Sequence, residues 1–216
     1  MNRLWHGSVR LGFRLLYQEL AFTYDLVSWL ASMGAWRCWT EASLRHLPAG
    51  EPVLEVAHGP GHLQITLQER GVRVFGIDYS PQMGRQAQRR IRSAGYSPAL
   101  SRARAQVLPY ASETFAAVVS TFPTEYIVDP RTLAEVHRVL QPGAPLIIVP
   151  TAAFVRGGAG TAALEWAYRA TGQRSGAANR TESIASLIEP YGFSVTCFEE
   201  ACPRSVALVV VARKSL

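Results

Sequence analysis

The stretch Pro52-Val-Leu-Glu-Val-Ala-His-Gly-Pro-Gly-His62, with Val74-Phe-Gly-Ile-Asp78 downstream of it, decides how this chain folds. An apolar run ends in an acid, Glu55, passes through a short turn carrying Gly59 and Gly61, and opens a helix-like segment. A second apolar run ends in Asp78. In a βαβ unit this order sets a glycine turn and a carboxylate side by side at the carboxyl ends of neighbouring parallel strands, where nucleoside-type ligands sit. Glycine lets a ligand approach the backbone, having no side chain and tolerating unusual dihedrals. A dinucleotide fingerprint needs a third glycine where Gln64 stands, and a P-loop needs a lysine that this loop lacks, so both phosphate-binding readings fail. What survives is a site for a nucleoside without a pyrophosphate. In it Asp78 accepts hydrogen bonds from ribose hydroxyls, and Glu55 faces a cationic amine or its bridging water.

Outward from this stretch the pattern alternates. Strand-like runs cover 52–57, 72–78, 115–122, 144–150, 193–199 and 205–213, with a weaker one at 99–103. Helix-like segments at 62–70, 81–94, 130–140, 161–171 and 180–191 lie between them. Short apolar strands alternating with helices predict a parallel sheet covered on both faces. Ser80-Pro81 is a helix start, the serine as N-cap and the proline at the first helical position, while Pro142-Gly143 stops the helix that ends at Leu140. Only Ala201-Cys-Pro-Arg204 links the last two runs, which excludes a parallel crossover. The expected fold is α/β, Rossmann-like and doubly wound, with a mostly parallel seven-stranded sheet ending in an antiparallel hairpin. The Gly/Ala-rich segment 151–180 is the expected crossover beside the site.

Residues 1–50 read differently, as an aromatic-rich helical cap on a main domain spanning 51–216. Trp5, Val9, Phe13, Leu16, Leu20, Tyr24 and Val27 share one helical face, opposite Arg3, Arg10, Arg14 and Gln18. This pattern suits a helix capping the core; a lid over a hydrophobic substrate and a peripheral contact with a membrane surface are the functional alternatives. The 216 residues suffice for one sizeable core, and 48% apolar with 18% charged residues is an ordinary globular composition. No apolar run approaches a membrane span, and the N-terminus lacks a signal-peptide layout, so the expected location is the cytoplasm. Cys38, Cys197 and Cys202 lack CxxC spacing and read as separate thiols, with neither a disulfide frame nor a metal site. The formal charge of +6 is modest, and a solvated basic surface is its simplest reading.

Four motifs in order resemble those of class I S-adenosylmethionine-dependent methyltransferases. They are Val53-Leu-Glu-Val-Ala-His-Gly-Pro-Gly61; Phe75-Gly-Ile-Asp-Tyr-Ser-Pro-Gln-Met83; Leu108-Pro-Tyr110 with Phe115-Ala-Ala-Val-Val119; and Glu135-Val-His-Arg-Val-Leu-Gln-Pro-Gly143. A shorter match, Tyr24-Asp25 with Gly34-Ala-Trp-Arg37, resembles the entry segment of the ubiquinone/menaquinone-biosynthesis branch. The resemblance implies S-adenosylmethionine as cofactor. Glu55 and the backbone of Ala57, His58, Gly59 and Gly61 would hold its methionine end, and Asp78 its ribose. Tyr79 and Met83 would pack on the adenine or sugar, Gln106 and Val107 would flank the adenine edge, Thr121 and Phe122 would lie beneath the methyl, and Tyr24 would close over the site. Two residues depart from the family pattern. Ala57 replaces the first glycine of the turn. Arg104 stands where an acid often accepts from the adenine amine, and arginine has only donors, so Gln106 or a backbone carbonyl must accept instead.

Methyl transfer from a sulfonium needs alignment and exclusion of water above all, and a base only when the acceptor must first lose a proton. His58, His62 and His137 are the candidate bases, and Glu125 and Tyr126 the candidate acceptor contacts. His62 flanks the turn, and His137 sits among the core contacts of its helix. Phe22, Trp29, Trp36 and Trp39 near the expected site favour a small hydrophobic acceptor. The rivals are a binding or scaffold protein on a methyltransferase fold, and an RNA methyltransferase. The second rests on Arg85, Arg89, Arg90, Arg92, Arg102 and Arg104, which fall mainly on a helix face that the fold exposes, with no appended RNA-binding module.

Overall fold

A computed structural model describes residues 32–50, 52–154 and 184–215. Seven strands form one sheet: β1 (Val53–Val56), β2 (Val74–Asp78), β3 (Leu100–Arg102), β4 (Ala117–Thr121), β5 (Pro145–Phe154), β6 (Phe193–Cys202) and β7 (Ser205–Lys214). Their order is β3-β2-β1-β4-β5-β7-β6. The first five are parallel to one another, β7 runs antiparallel to β5, and β6 pairs antiparallel with β7. The expected mostly parallel sheet with a terminal hairpin is therefore what the chain forms. The strand order reverses between β1 and β4, and that switch point opens a crevice at their carboxyl ends.

Every residue of β1 is buried, as a central parallel strand requires. Its side chains alternate between two cores. Leu54 and Val56 join Val118, Leu146 and Ile148 on the face covered by helix α4 (Pro130–Val139). Val53 joins Val119, Ile147 and Val149 on the other face, under helices α1 (Trp36–Glu41) and α2 (His62–Glu69). By the same period of two, Glu55 points to the α2 face. Helix α3 (Pro81–Ser93) is capped as its sequence announces: Ser80 Oγ accepts from Met83 N at 3.3 Å, and Pro81 opens the helix. Met83, Ala87 and Ile91 form its buried stripe, and Arg85, Arg89 and Arg92 are exposed.

Glycine is required at two crossings. Gly61 precedes α2 with φ +86°, and a Cβ there would come within 2.9 Å of Ala87 Cβ on α3. Gly76 pairs with Glu55 in register. A Cβ at Gly76 would stand 2.6 Å from Leu100 Cδ2 and 3.0 Å from both Gln64 Nε2 and His58 Cδ2. Its missing side chain is the space that Gln64 and His58 occupy.

The expectation of separate thiols is corrected: Cys38 of α1 and Cys202 at the end of β6 form a disulfide, with Cα atoms 5.9 Å apart and 164 residues between them in sequence. Short spacing carries no signal for such a bridge, because the fold brings the two ends together. Trp39 Nε1 donates to Ser205 Oγ at 2.8 Å, and Arg45 and His46 both reach the Glu200 carboxylate, fastening α1 and the turn after it onto the hairpin. The amphipathic pattern of residues 3–27, Phe22, Tyr24, Trp29 and the helix expected at 161–171 lie outside the described residues. Of the helix expected at 180–191, residues 184–188 are helical and Glu189–Tyr191 form a 3-10 turn. No helix among the described residues is long and apolar enough to cross a membrane, and none of their His, Cys, Asp and Glu side chains form a group of three or more placed to hold a metal.

Candidate active site

The carboxyl ends of β1, β2 and β4 enclose a cavity of about 250 Å³, and Trp36 and Thr40 of α1 form part of its wall. A second hollow of about 270 Å³ shares Ala57, Asp78, Tyr79 and Tyr126 with it and extends to Ala103, Arg104 and Gln106 beyond β3. The two make a bent cleft over the glycine turn.

The turn is built by backbone bonds and one carboxylate. His58 N donates to Ile77 O at 3.1 Å, and Gly61 N to His58 O at 3.1 Å. Asp78 Oδ2 accepts from Gly59 N at 2.9 Å, while its Oδ1 accepts from Ser80 N at 2.7 Å. Each oxygen keeps a further lone pair for a ligand hydroxyl. Gly59 has φ +53°, and a Cβ there would meet nothing within 4 Å, so space lies open above the turn. Ala57 adopts φ +58°, the left-handed region natural to glycine, which explains why the family pattern has glycine at this position.

Glu55 is 2% exposed and Gln64 fully buried. Gln64 Nε2 donates to Glu55 Oε2 at 2.7 Å, and Gln64 Oε1 has no partner. Burial pushes the Glu55 carboxyl up to about 8, against the hydrogen bond from Gln64 and with a smaller push from Asp78. A proton on Glu55 also suits the unpartnered Oε1 beside it. The cleft thus holds a neutral acid that a cationic ligand would ionise. Gln64, read from sequence only as a missing glycine, is its buried partner. Its place in the first turn of α2, facing β1, is the signal that could have found it.

His58 is buried, and its Nδ1 lies 2.7 Å from Gly59 O, so Nδ1 carries the proton and donates. Burial lowers its pKa, with Asp78 opposing. Tyr126 lines both hollows, with its hydroxyl 2.9 Å from Ser120 Oγ. Thr121 and Phe122 line the first hollow, and Trp36 stacks on Phe122 with ring centroids 4.4 Å apart. Glu125 is exposed and lines neither hollow. Met83 lies in the core, Gly61 packs on α3, and Val107 is 70% exposed; none of the three lines the cleft. Thr40 and Leu63, which sequence reasoning did not single out, do line it. His137 packs edge-on against Phe193, away from the cleft. Arg104 sits with its guanidinium 4.7 Å from the centre of the Tyr79 ring and donates to the Tyr79 hydroxyl at 3.1 Å.

A family model described as a methyltransferase domain matches residues 53–143, which supply all of the cleft lining except Trp36 and Thr40. The chain is 33% identical over 139 residues to a demethylmenaquinone methyltransferase of Thermus thermophilus, covering 62% of this chain and 63% of that protein. It is 31% identical over 144 residues to a 2-phytyl-1,4-naphtoquinone methyltransferase of Nostoc, covering 63% of each. The chain thus spans less than two thirds of the length of these curated relatives. Among solved structures, a SAM-dependent methyltransferase of Methanosarcina mazei superimposes with a TM-score of 0.58 at 20% identity, over 80% of this chain and 97% of that one, a likeness of fold. The ordered motifs, the switch-point cleft and these matches agree in one likeness: residues 53–143 match a methyltransferase domain, on a fold shared with S-adenosylmethionine-dependent methyltransferases.

Proposed function

We propose that this protein transfers a methyl group from S-adenosylmethionine to a small hydrophobic acceptor of the quinone type. The observation that carries the reading is the pairing of buried Glu55 with Asp78 on either side of an open glycine turn. The cofactor fits this donor set. Glu55, which lines the cleft, offers an acceptor to an ammonium group, and Asp78 offers lone pairs to ribose hydroxyls. When bound, S-adenosylmethionine supplies a methyl group already activated by its sulfonium. The protein's share is to orient and to keep water out. Trp36, Phe122, Pro123 and Leu63 supply an apolar wall on the side of the cleft away from Arg104, suited to a flat apolar ring. The names of the relatives support a naphthoquinone ring with a long lipid tail. The basic and apolar faces in the sequence of residues 3–27 support delivery of such an acceptor from a membrane surface.

The test is transfer of labelled methyl from S-adenosylmethionine to a demethylated, tail-bearing 1,4-naphthoquinol in detergent. Label in the extracted quinone is expected. Its absence, with cofactor binding intact, would overturn the choice of acceptor.

A further inference from the structure

The base end of the cleft lacks the acid that would accept from an adenine amine, and the structure offers a substitute. Gln106 lines this hollow, and its Nε2 donates to Asp129 Oδ2 at 3.2 Å. A carboxylate only accepts, so the amide atom facing it must be the nitrogen, and Oε1 is the atom left over. Asp129 caps α4, taking Arg131 N on Oδ1 at 2.9 Å and the Arg131 guanidinium on Oδ2 at 3.2 Å. Those bonds hold its carboxyl down at about 2, so it stays ionised across the working range and its acceptor role does not switch. Arg104 is held against Tyr79 and cannot supply an acceptor.

We propose that Asp129 is a positioning residue that locks the Gln106 carboxamide with Oε1 toward the base, making Gln106 the acceptor for the exocyclic amine of a 6-aminopurine. The inference rests on the reading of this cleft as the cofactor site. Discrimination against a 6-oxopurine follows, because its oxygen would meet Oε1 acceptor to acceptor. An unpaired buried polar contact of this kind weakens binding about tenfold or more.

Asp129→Asn tests it. Asparagine is as good an N-cap as aspartate, so the helix start is kept. Its carboxamide can donate to Gln106 Oε1, which lets the Gln106 amide turn over and present Nε2 to the base. The measurement is calorimetric affinity for S-adenosyl-L-homocysteine and S-inosyl-L-homocysteine, with thermal melts as the check on folding. The wild-type protein should prefer the adenosyl ligand by about tenfold or more, and Asp129→Asn should erase or invert that ratio. Gln106→Leu should erase the ratio as well, and Asp129→Asn should then change it no further. A purely structural role for Asp129 would weaken both ligands together. An adenosyl-to-inosyl ratio unchanged in a folded Asp129→Asn variant would overturn the proposal while leaving the cofactor reading intact. Failure of the wild-type protein to bind either ligand would overturn both.

Discussion

Glu55 makes the stability of the free protein depend on pH in an unusual direction. Its carboxyl ionises near 4.5 when exposed and at about 8 when folded. Below the lower value both states hold the proton, and above the higher value neither does. Between them the folded state holds a proton that the unfolded chain releases, so stability falls as pH rises through that window. At about 1.4 kcal/mol per pH unit, the upper bound on the loss is roughly 5 kcal/mol. Relaxation around the buried pair will reduce it, and a few kcal/mol is the expected size. Glu55→Gln removes the titration. Its new amide can donate to the unpartnered Gln64 Oε1 while its carbonyl still accepts from Gln64 Nε2. The variant should therefore be the more stable protein at pH 8.5 by a few kcal/mol, with little difference at pH 5. Urea unfolding at pH 5, 7 and 8.5 reads this directly. Wild-type and variant curves that stay parallel across the range would refute the reasoning, as would a variant less stable at pH 8.5.

Other consequences follow from the turn and its supports. Ala57→Gly relieves a left-handed residue worth about 1–2 kcal/mol against a glycine entropy cost of about 0.5–1 kcal/mol, so thermal unfolding should show a gain of up to ~1.5 kcal/mol. Gly76→Ala forces a Cβ against Leu100, Gln64 and His58; a loss of about 1–3 kcal/mol is expected, with cofactor affinity falling alongside it. Cys38→Ser opens the bridge between α1 and the hairpin, and denaturant unfolding should register a loss of about 2–4 kcal/mol that dithiothreitol reproduces in the wild-type protein.

The parts of the fold legible in the sequence are those governed by local rules. The period-two alternation of β1, the Ser80-Pro81 start of α3 and the short link at Ala201–Arg204 each act within a few residues. Asp129-Pro130 is a helix start of the same kind as Ser80-Pro81, and could have been read as the cap that it is. The spacing of Met83, Ala87 and Ile91 likewise signals a buried stripe, which sets Met83 in the core beneath α3. What escaped depends on distant partners. Gly76 looks like an ordinary strand residue until Gln64 and His58 are found in the space beside it. Cys38 and Cys202 become a pair only after the sheet has closed. The neutral state of Glu55 follows from complete burial, which no local pattern states.

On the proposed function, the cleft over the glycine turn binds S-adenosylmethionine through Glu55 and Asp78. Isothermal titration of the full chain with S-adenosylmethionine and S-adenosyl-L-homocysteine tests it most directly. Saturable one-to-one binding is expected, weakened about 100-fold or more by Asp78→Ala, which would remove charge-assisted hydrogen bonds to the ribose and free the amides of Gly59 and Ser80. No binding at millimolar ligand, or affinity unchanged in Asp78→Ala, would contradict it.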